Sequence, residues 1–289
     1  MKITTKDYLV PKGAQVRLSK WPTRVEPAYD TKKSYEKLLK KHVARLSELQ
    51  ELLYASNLHS LLLVFQGMDT SGKDGVIKHV MSGINTQGCQ VASFKHPSAT
   101  ELEHDFLWRT AQALPERGNI GIFNRSHYEE VVVVRVHPGL LRAEGLPDAS
   151  QRNGDVWKAR YRSIVGWEDH LARNGTRILK FFLHVSKDEQ RERLLERLDD
   201  PEKRWKFRAA DVDERKCWDD YMKAYGDAIG ATSMPHAPWY VIPADDKPNA
   251  RLIVSQIVAE TLESLDMRYP RLDDKLASDL KSIRAALAG

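Results

Sequence analysis

Cysteine is scarce in this chain: Cys89 and Cys217 are the only two in 289 residues, too few for a disulfide framework. Neither sits in a Cys-x-x-Cys pair or a His-rich metal spacing. A reduced, cytoplasmic setting is therefore expected. No run approaches the roughly 20 apolar residues that a membrane span needs, and the opening Met-Lys-Ile-Thr-Thr-Lys leads into no apolar export segment. No membrane partner is expected. Charge of one sign is also in short supply, since 45 Lys and Arg against 40 Asp and Glu leave only +5. That balance suits a phosphate-rich ligand and is too small to argue for nucleic acid. Internal repeats and low-complexity tracts are missing, which excludes a repeat architecture.

What remains is a chain with 42% hydrophobic residues, enough to bury a sizeable core and to exclude disorder over most of its length. Residues 1–33 mix Pro11, Pro22 and Pro27 with charges and follow no period, so they read as a surface-wrapping arm. From Ser34 to about Ser56, Leu38, Leu39, Val43, Leu46, Leu49, Leu52 and Leu53 mark one side of a helix. Apolar runs of strand length follow at 61–65, 89–94, 120–123, 178–185 and 239–242, separated by helical stretches. Strands alternating with helices imply right-handed crossovers and a three-layer α/β/α fold with a mostly parallel five-stranded sheet. A last helix at about 249–265 precedes a charged tail over 271–289, leaving 34–270 as a single domain.

The run Gly67-Met-Asp-Thr-Ser-Gly-Lys73 satisfies G-x-x-x-x-G-K, directly after an apolar strand and before a helical pattern. Glycines in such a P-loop let successive N–H groups and the helix N-terminus point at a phosphate, and the lysine adds a mobile charge. Gly67, Gly72, Lys73, Asp74 and Gly75 are assigned to phosphate on this basis. A plain strand-to-helix turn with a surface lysine is the blander alternative. Position 74 departs from the motif: it is Asp, where Ser or Thr would ordinarily offer a hydroxyl to Mg²⁺. Asp69, inside the loop, can ligate Mg²⁺ or hold an acceptor oxygen, or it can simply cap local amides.

The third strand ends in Asn124-Arg125, where P-loop enzymes often carry a metal-binding Asp. An amide brings no charge, so Asp69 and Asn124 together form the candidate metal contact, for Mg²⁺ with Mn²⁺ as its replacement. Arg125 reads as a phosphate clamp, with a buried structural ion pair as the alternative. Ser126, His127, Tyr128, Glu129 and Glu130 open the next helix. Both glutamates could complement the helix dipole; Glu129 is the stronger catalytic candidate, Glu130 is evenly divided, and His127 is either a core histidine or a ligand.

A helical segment over about 188–212 supplies a lid. Its Arg191, Arg193 and Arg197 alternate with Glu189, Glu192 and Glu196, which surface pairing can explain in part. Lys203-Arg204-Trp205-Lys206-Phe207-Arg208 contains no acid, and Lys203, Arg204, Lys206 and Arg208 are assigned to phosphate. Aromatics between cations also suit single-stranded nucleic acid, a reading the small net charge disfavours.

Four blocks carry a resemblance: Gly67-Met-Asp-Thr-Ser-Gly-Lys-Asp-Gly75, Phe123-Asn-Arg-Ser-His-Tyr-Glu-Glu130, Lys180-Phe-Phe-Leu-His-Val-Ser-Lys187 and Asp200-Pro-Glu-Lys-Arg-Trp-Lys-Phe207. In that order, over nearly the whole chain, they resemble the polyphosphate kinase 2 family, P-loop enzymes that pass phosphate between inorganic polyphosphate and nucleotides. The resemblance implies a P-loop kinase fold with a helical lid, Asp69 as a catalytic and Mg²⁺-linked carboxylate, and Lys73 and Arg125 as phosphate-binding cations. Many relatives carry Asp-Arg-Ser-Trp-Tyr-Asn where this chain has Asn124-Arg-Ser-His-Tyr-Glu129. The Glu form resembles the class that phosphorylates both AMP and ADP, giving ADP and ATP. Relatives further imply a homo-oligomer, dimer or tetramer.

The expected chemistry is Mg²⁺-dependent in-line phosphoryl transfer, with Asp69, Lys73, Arg125 and Glu129 as catalytic groups. An ATP-dependent nucleoside monophosphate kinase would share fold, loop and lid, and a non-catalytic polyphosphate or nucleotide-binding regulator would keep the cations but not need the carboxylates.

Overall fold

A computed structural model of the chain describes residues 3–147 and 155–288. Five strands, β1 (Ser60–Gln66), β2 (Cys89–Ser93), β3 (Ile120–Asn124), β4 (Thr176–His184) and β5 (Trp239–Pro243), form one sheet in the order β2-β3-β1-β4-β5. Every neighbouring pair is parallel. A parallel sheet covered on both faces wants continuous apolar strands, and all seven residues of β1 are buried, as are the last seven of β4. The edge strand β2 is half open to solvent and correspondingly less apolar.

The helices are α1 (Lys32–Ser56), α2 (Lys73–Val80), the short α3 (Ala99–Leu102) and α4 (Trp108–Ala111), α5 (Glu129–Val136), α6 (Pro138–Ala143), α7 (Asp155–Arg173), α8 (Lys187–Asp199), α9 (Ala210–Lys216), α10 (Trp218–Thr232), α11 (Lys247–Glu263) and α12 (Asp274–Leu287). One face of the sheet carries α1, α2 and α11 packed together; the other carries α5, α7 and α10. Helix α1 begins where Thr31 and Ser34 form a reciprocal capping box, two residues before the first expected helical position. It ends at Asn57 in the left-handed conformation, φ 48°.

The N-terminal arm contributes to the core. Val10, Val16 and Leu18 are buried, and Val10 N–H donates to Trp239 O at 2.9 Å, tying the arm to β5. Gly226 and Gly230 of α10 permit this approach: a Cβ there would stand 2.7 Å from Val16 O and 2.6 Å from Ala14 O. The charged tail holds a helix, α12, in which Leu280, Ile283 and Leu287 are exposed.

The strand order positions the site. After β1 the chain crosses toward β2, whereas after β3 it crosses to β4 on the other side. Neighbouring β1 and β3 thus send their following helices to opposite faces, and a crevice opens at their carboxyl ends.

Candidate functional site

The loop after β1 has the backbone its glycines announce. Gly67 has φ +148° and Gly72 φ +101°, and a Cβ on Gly67 would lie 2.8 Å from both Leu183 O and Ser71 Oγ. Thr70 is also left-handed at φ 62°. Lys73 opens α2, and its Nζ donates to Gly67 O at 2.7 Å and Met68 O at 3.2 Å. Burial, then the nearby Arg125 charge, pulls the Lys73 ammonium down to about 8. Lysine and loop are thereby folded on each other.

Arg125 follows β3 at φ 63°, its N–H bonded to Phe65 O of β1. Its guanidinium bridges two carboxylates: Nη2 to Asp69 Oδ1 at 2.6 Å, and Nη1 to Glu129 Oε2 at 2.9 Å. Glu129, followed by Asp69, holds the guanidinium firmly charged against the cost of burial. Of the sequence-assigned catalytic residues, Asp69, Lys73 and Arg125 line one crevice, and Glu129 is tied to it through Arg125 without lining it. The second oxygen of Glu129, Oε1, is buried without a hydrogen-bond partner. Asn124 does not join Asp69; its Nδ2 donates instead to Asp74 Oδ1 at 2.7 Å.

An open cavity of about 560 Å³ spreads from the loop to the lid. Lys73, Lys95, Lys203, Lys206, Lys247, Arg125, Arg193, Arg197 and Arg251 line it, against only Asp69, Asp74 and Glu196. The chain is nearly balanced overall, so this concentration of positive charge is local. Arg251 Nε and Thr70 Oγ1 are buried with no protein partner. Of the lid cations assigned from sequence, Lys203 and Lys206 line the cavity and Arg204 and Arg208 do not. Arg204 Nε is turned back to Leu198 O at 2.8 Å.

Arg193, one of the lid arginines partly explained by surface pairing, is instead a buried fastener. It donates to Glu189 Oε1, to Thr70 O and Ser71 O of the loop, and to Ala244 O beyond β5. Lys95, Lys247 and Arg251 went unassigned in the sequence. Lys95 lies two residues past β2, and Lys247 and Arg251 open α11 after β5, so the rule that ligands gather at the carboxyl ends of parallel strands was the signal that could have found them.

Two sequence candidates belong to the scaffold. Glu130 is bonded to Arg109 at 2.8 Å, both side chains almost fully buried, and lies outside the cavity lining. Burial raises its carboxyl to about 7, opposed by Arg109. His127 is fully buried beside Glu168, its pKa lowered by burial. The same interior holds an ion pair of Lys180, in the middle of β4, with Glu168 of α7; Lys180 Nζ also donates to Tyr128 Oη at 2.9 Å and to Thr232 O at 2.8 Å. Tyr128 thus anchors the turn that carries Arg125 and Glu129.

Among the described residues, no three His, Cys, Asp or Glu side chains converge as a metal cage. Mg²⁺ is usually held by one or two carboxylates, waters and substrate phosphates, and the cavity presents the oxygen donors Asp69, Asp74 and Asn124. That donor set fits a hard divalent cation arriving with phosphate.

The family model described as Polyphosphate kinase 2 matches residues 29–270. The chain is 60% identical over 287 residues to an ADP-polyphosphate phosphotransferase of Rhodopseudomonas palustris, covering 99% of each. To an AMP/ADP-polyphosphate phosphotransferase of Meiothermus ruber it is 53% identical over 227 residues, 78% of this chain and 80% of that one. Among solved structures, polyphosphate kinase 2 from Arthrobacter aurescens TC1 superposes with a TM-score of 0.86 at 38% identity, covering 96% of this chain and 95% of the other.

Proposed function

This chain belongs to the polyphosphate kinase 2 family, and on that premise we propose that it phosphorylates nucleotides from inorganic polyphosphate, taking AMP to ADP and ADP to ATP. The observation that carries the reading is the cavity's charge. Nine cations from the P-loop, the strand ends, the lid and the start of α11 line it against three carboxylates, a surplus of positive charge suited to a chain of phosphates.

The reaction needs alignment and charge neutralisation more than covalent help. An oxygen of the acceptor's terminal phosphate attacks the end phosphorus of the chain, the P–O–P bond breaks, and the shortened polyphosphate leaves. Loop N–H groups and Lys73 hold the donor phosphates. Arriving phosphate competes with Gly67 O for the lysine and favours its charged form. Arg125, held by Asp69 and Glu129, faces the phosphoryl group in transit, and Lys203 and Lys206 close over it. Asp69 orients the acceptor. A bound Mg²⁺, for which Mn²⁺ can substitute, would screen the phosphates and be held by carboxylates of the cavity.

The relatives named as polyphosphate phosphotransferases favour this reading over an ATP-dependent monophosphate kinase or a silent binder. Glu129 bears on dual acceptor use through Arg125, which it holds at 2.9 Å, since Glu129 itself lies outside the cavity lining with Oε1 buried. The test supplies Mg²⁺, long-chain polyphosphate and AMP or ADP, follows ADP and ATP by chromatography, and runs ATP plus AMP as the comparison donor. Product that depends on ATP alone would refute the assignment. Unchanged AMP use by Glu129→Asn would refute the role given to Glu129.

A further inference from the structure

The three carboxylates of the cavity are not equally satisfied. Asp69 is bonded by Arg125 at 2.6 Å, and Glu196 stands 3.8 Å from Lys247 Nζ. Asp74 makes no ion pair among the described residues; its side chain accepts from the neutral amide of Asn124 at 2.7 Å. It is nevertheless exposed to the cavity, one position after the loop lysine, where bound phosphate would repel it unless a cation lay between them.

Position matters as much as charge. In P-loop enzymes the residue after the lysine offers a neutral hydroxyl to the metal, and a carboxylate comes from the end of a neighbouring strand. Here the two chemistries are exchanged: the carboxylate is Asp74, the strand-end residue is the neutral Asn124, and the two are in direct contact. We propose that Asp74 is the protein's anionic contact to the divalent cation that accompanies the phosphates, with Asn124 a positioning residue that fixes the carboxylate through Oδ1 and leaves Oδ2 to the ion. Asp69, the metal candidate from sequence, places its Oδ1 on Arg125, so Asp74 is the cavity carboxylate left without an ion pair among the described residues. The inference rests on the phosphotransfer reading and assigns the metal contact within that site.

The test is calorimetric titration of the full chain with tripolyphosphate, with and without Mn²⁺, so that no turnover is needed. Removing a charge next to an anion tightens metal-free binding, by about twofold at moderate salt. Removing a metal contact weakens binding of the Mn²⁺ complex, by about tenfold. Asp74→Asn and Asp74→Ser should therefore move the two affinities in opposite directions. Combining Asp74→Ser with Asn124→Asp rebuilds the ordinary arrangement and should return the Mn²⁺-dependent gain to within about threefold of wild type. Tightening of both forms in the Asp74 variants would overturn the inference, because a carboxylate that only repels phosphate behaves that way. Wild-type protein that binds tripolyphosphate in neither form would overturn the phosphotransfer reading itself, a separate outcome. Asp74 is exposed, so the variants should fold, and thermal unfolding checks that they do.

Discussion

Lys180→Met should unfold this protein easily near pH 8 and far less easily near pH 5. All three protons of the Lys180 ammonium are used: by Glu168, by Tyr128 Oη and by Thr232 O. Lysine and glutamate side chains are 0% and 1% exposed. Met fills similar volume but leaves Glu168 with an unpaired charge, and breaking one side of a buried pair costs about 3–5 kcal/mol. An upper limit comes from protonation: neutralising a carboxyl with an ordinary value of 4.5 costs about 5 kcal/mol near pH 8 and under about 1 kcal/mol near pH 5. The sign follows, since the variant's folded state then binds the extra proton and gains stability as pH falls. Urea unfolding followed by tryptophan fluorescence measures it. Glu168→Leu with Lys180→Met should recover most of the loss, because replacing a buried pair whole is often neutral. A Lys180→Met cost below about 1 kcal/mol, or one that does not change with pH, would refute the reasoning.

Further expectations concern the loop and its surroundings. Glu130, raised to about 7, is favoured protonated in the folded state, so wild type should lose about 3 kcal/mol relative to Glu130→Gln as pH rises from about 4.5 to about 8; urea midpoints of the two at each pH decide it. Arg193→Met strips donors from Thr70 O, Ser71 O, Ala244 O and Glu189. It should cost about 3 kcal/mol of stability and raise KM for polyphosphate more than it lowers kcat, read by unfolding and initial rates. Gly67→Ala meets Leu183 O and Ser71 Oγ at 2.8 Å in a left-handed backbone, so tripolyphosphate binding should fall by more than about tenfold in calorimetry.

Much of the site was legible because phosphate binding is written in local chemistry. The G-x-x-x-x-G-K run between an apolar strand and a helix located Gly67, Asp69, Gly72 and Lys73, and the strand end located Arg125 and Glu129. The structure brings these together. What was not legible depends on side-chain direction. Lys203 and Arg204 are neighbours in a basic run, yet one lines the cavity and the other turns back onto a helix-end carbonyl. Arg193 reads as one of several alternating surface charges and is instead buried against the P-loop backbone. Lys180 sits in the middle of an apolar strand, where only a carboxylate arriving from α7 makes a charge tolerable.

The sequence by itself determined the class of fold, the loop and the phosphate chemistry, because strand and helix periods and glycine conformations are properties of short segments. Only the tertiary structure decided which cations share a cavity and which carboxylate lacks a counter-charge. Lys95, Lys247 and Arg251 come from the ends of different strands and helices, and Asp74 and Asn124 are 50 positions apart. Their meeting follows from the order of strands in the sheet, which sets what lies beside the P-loop.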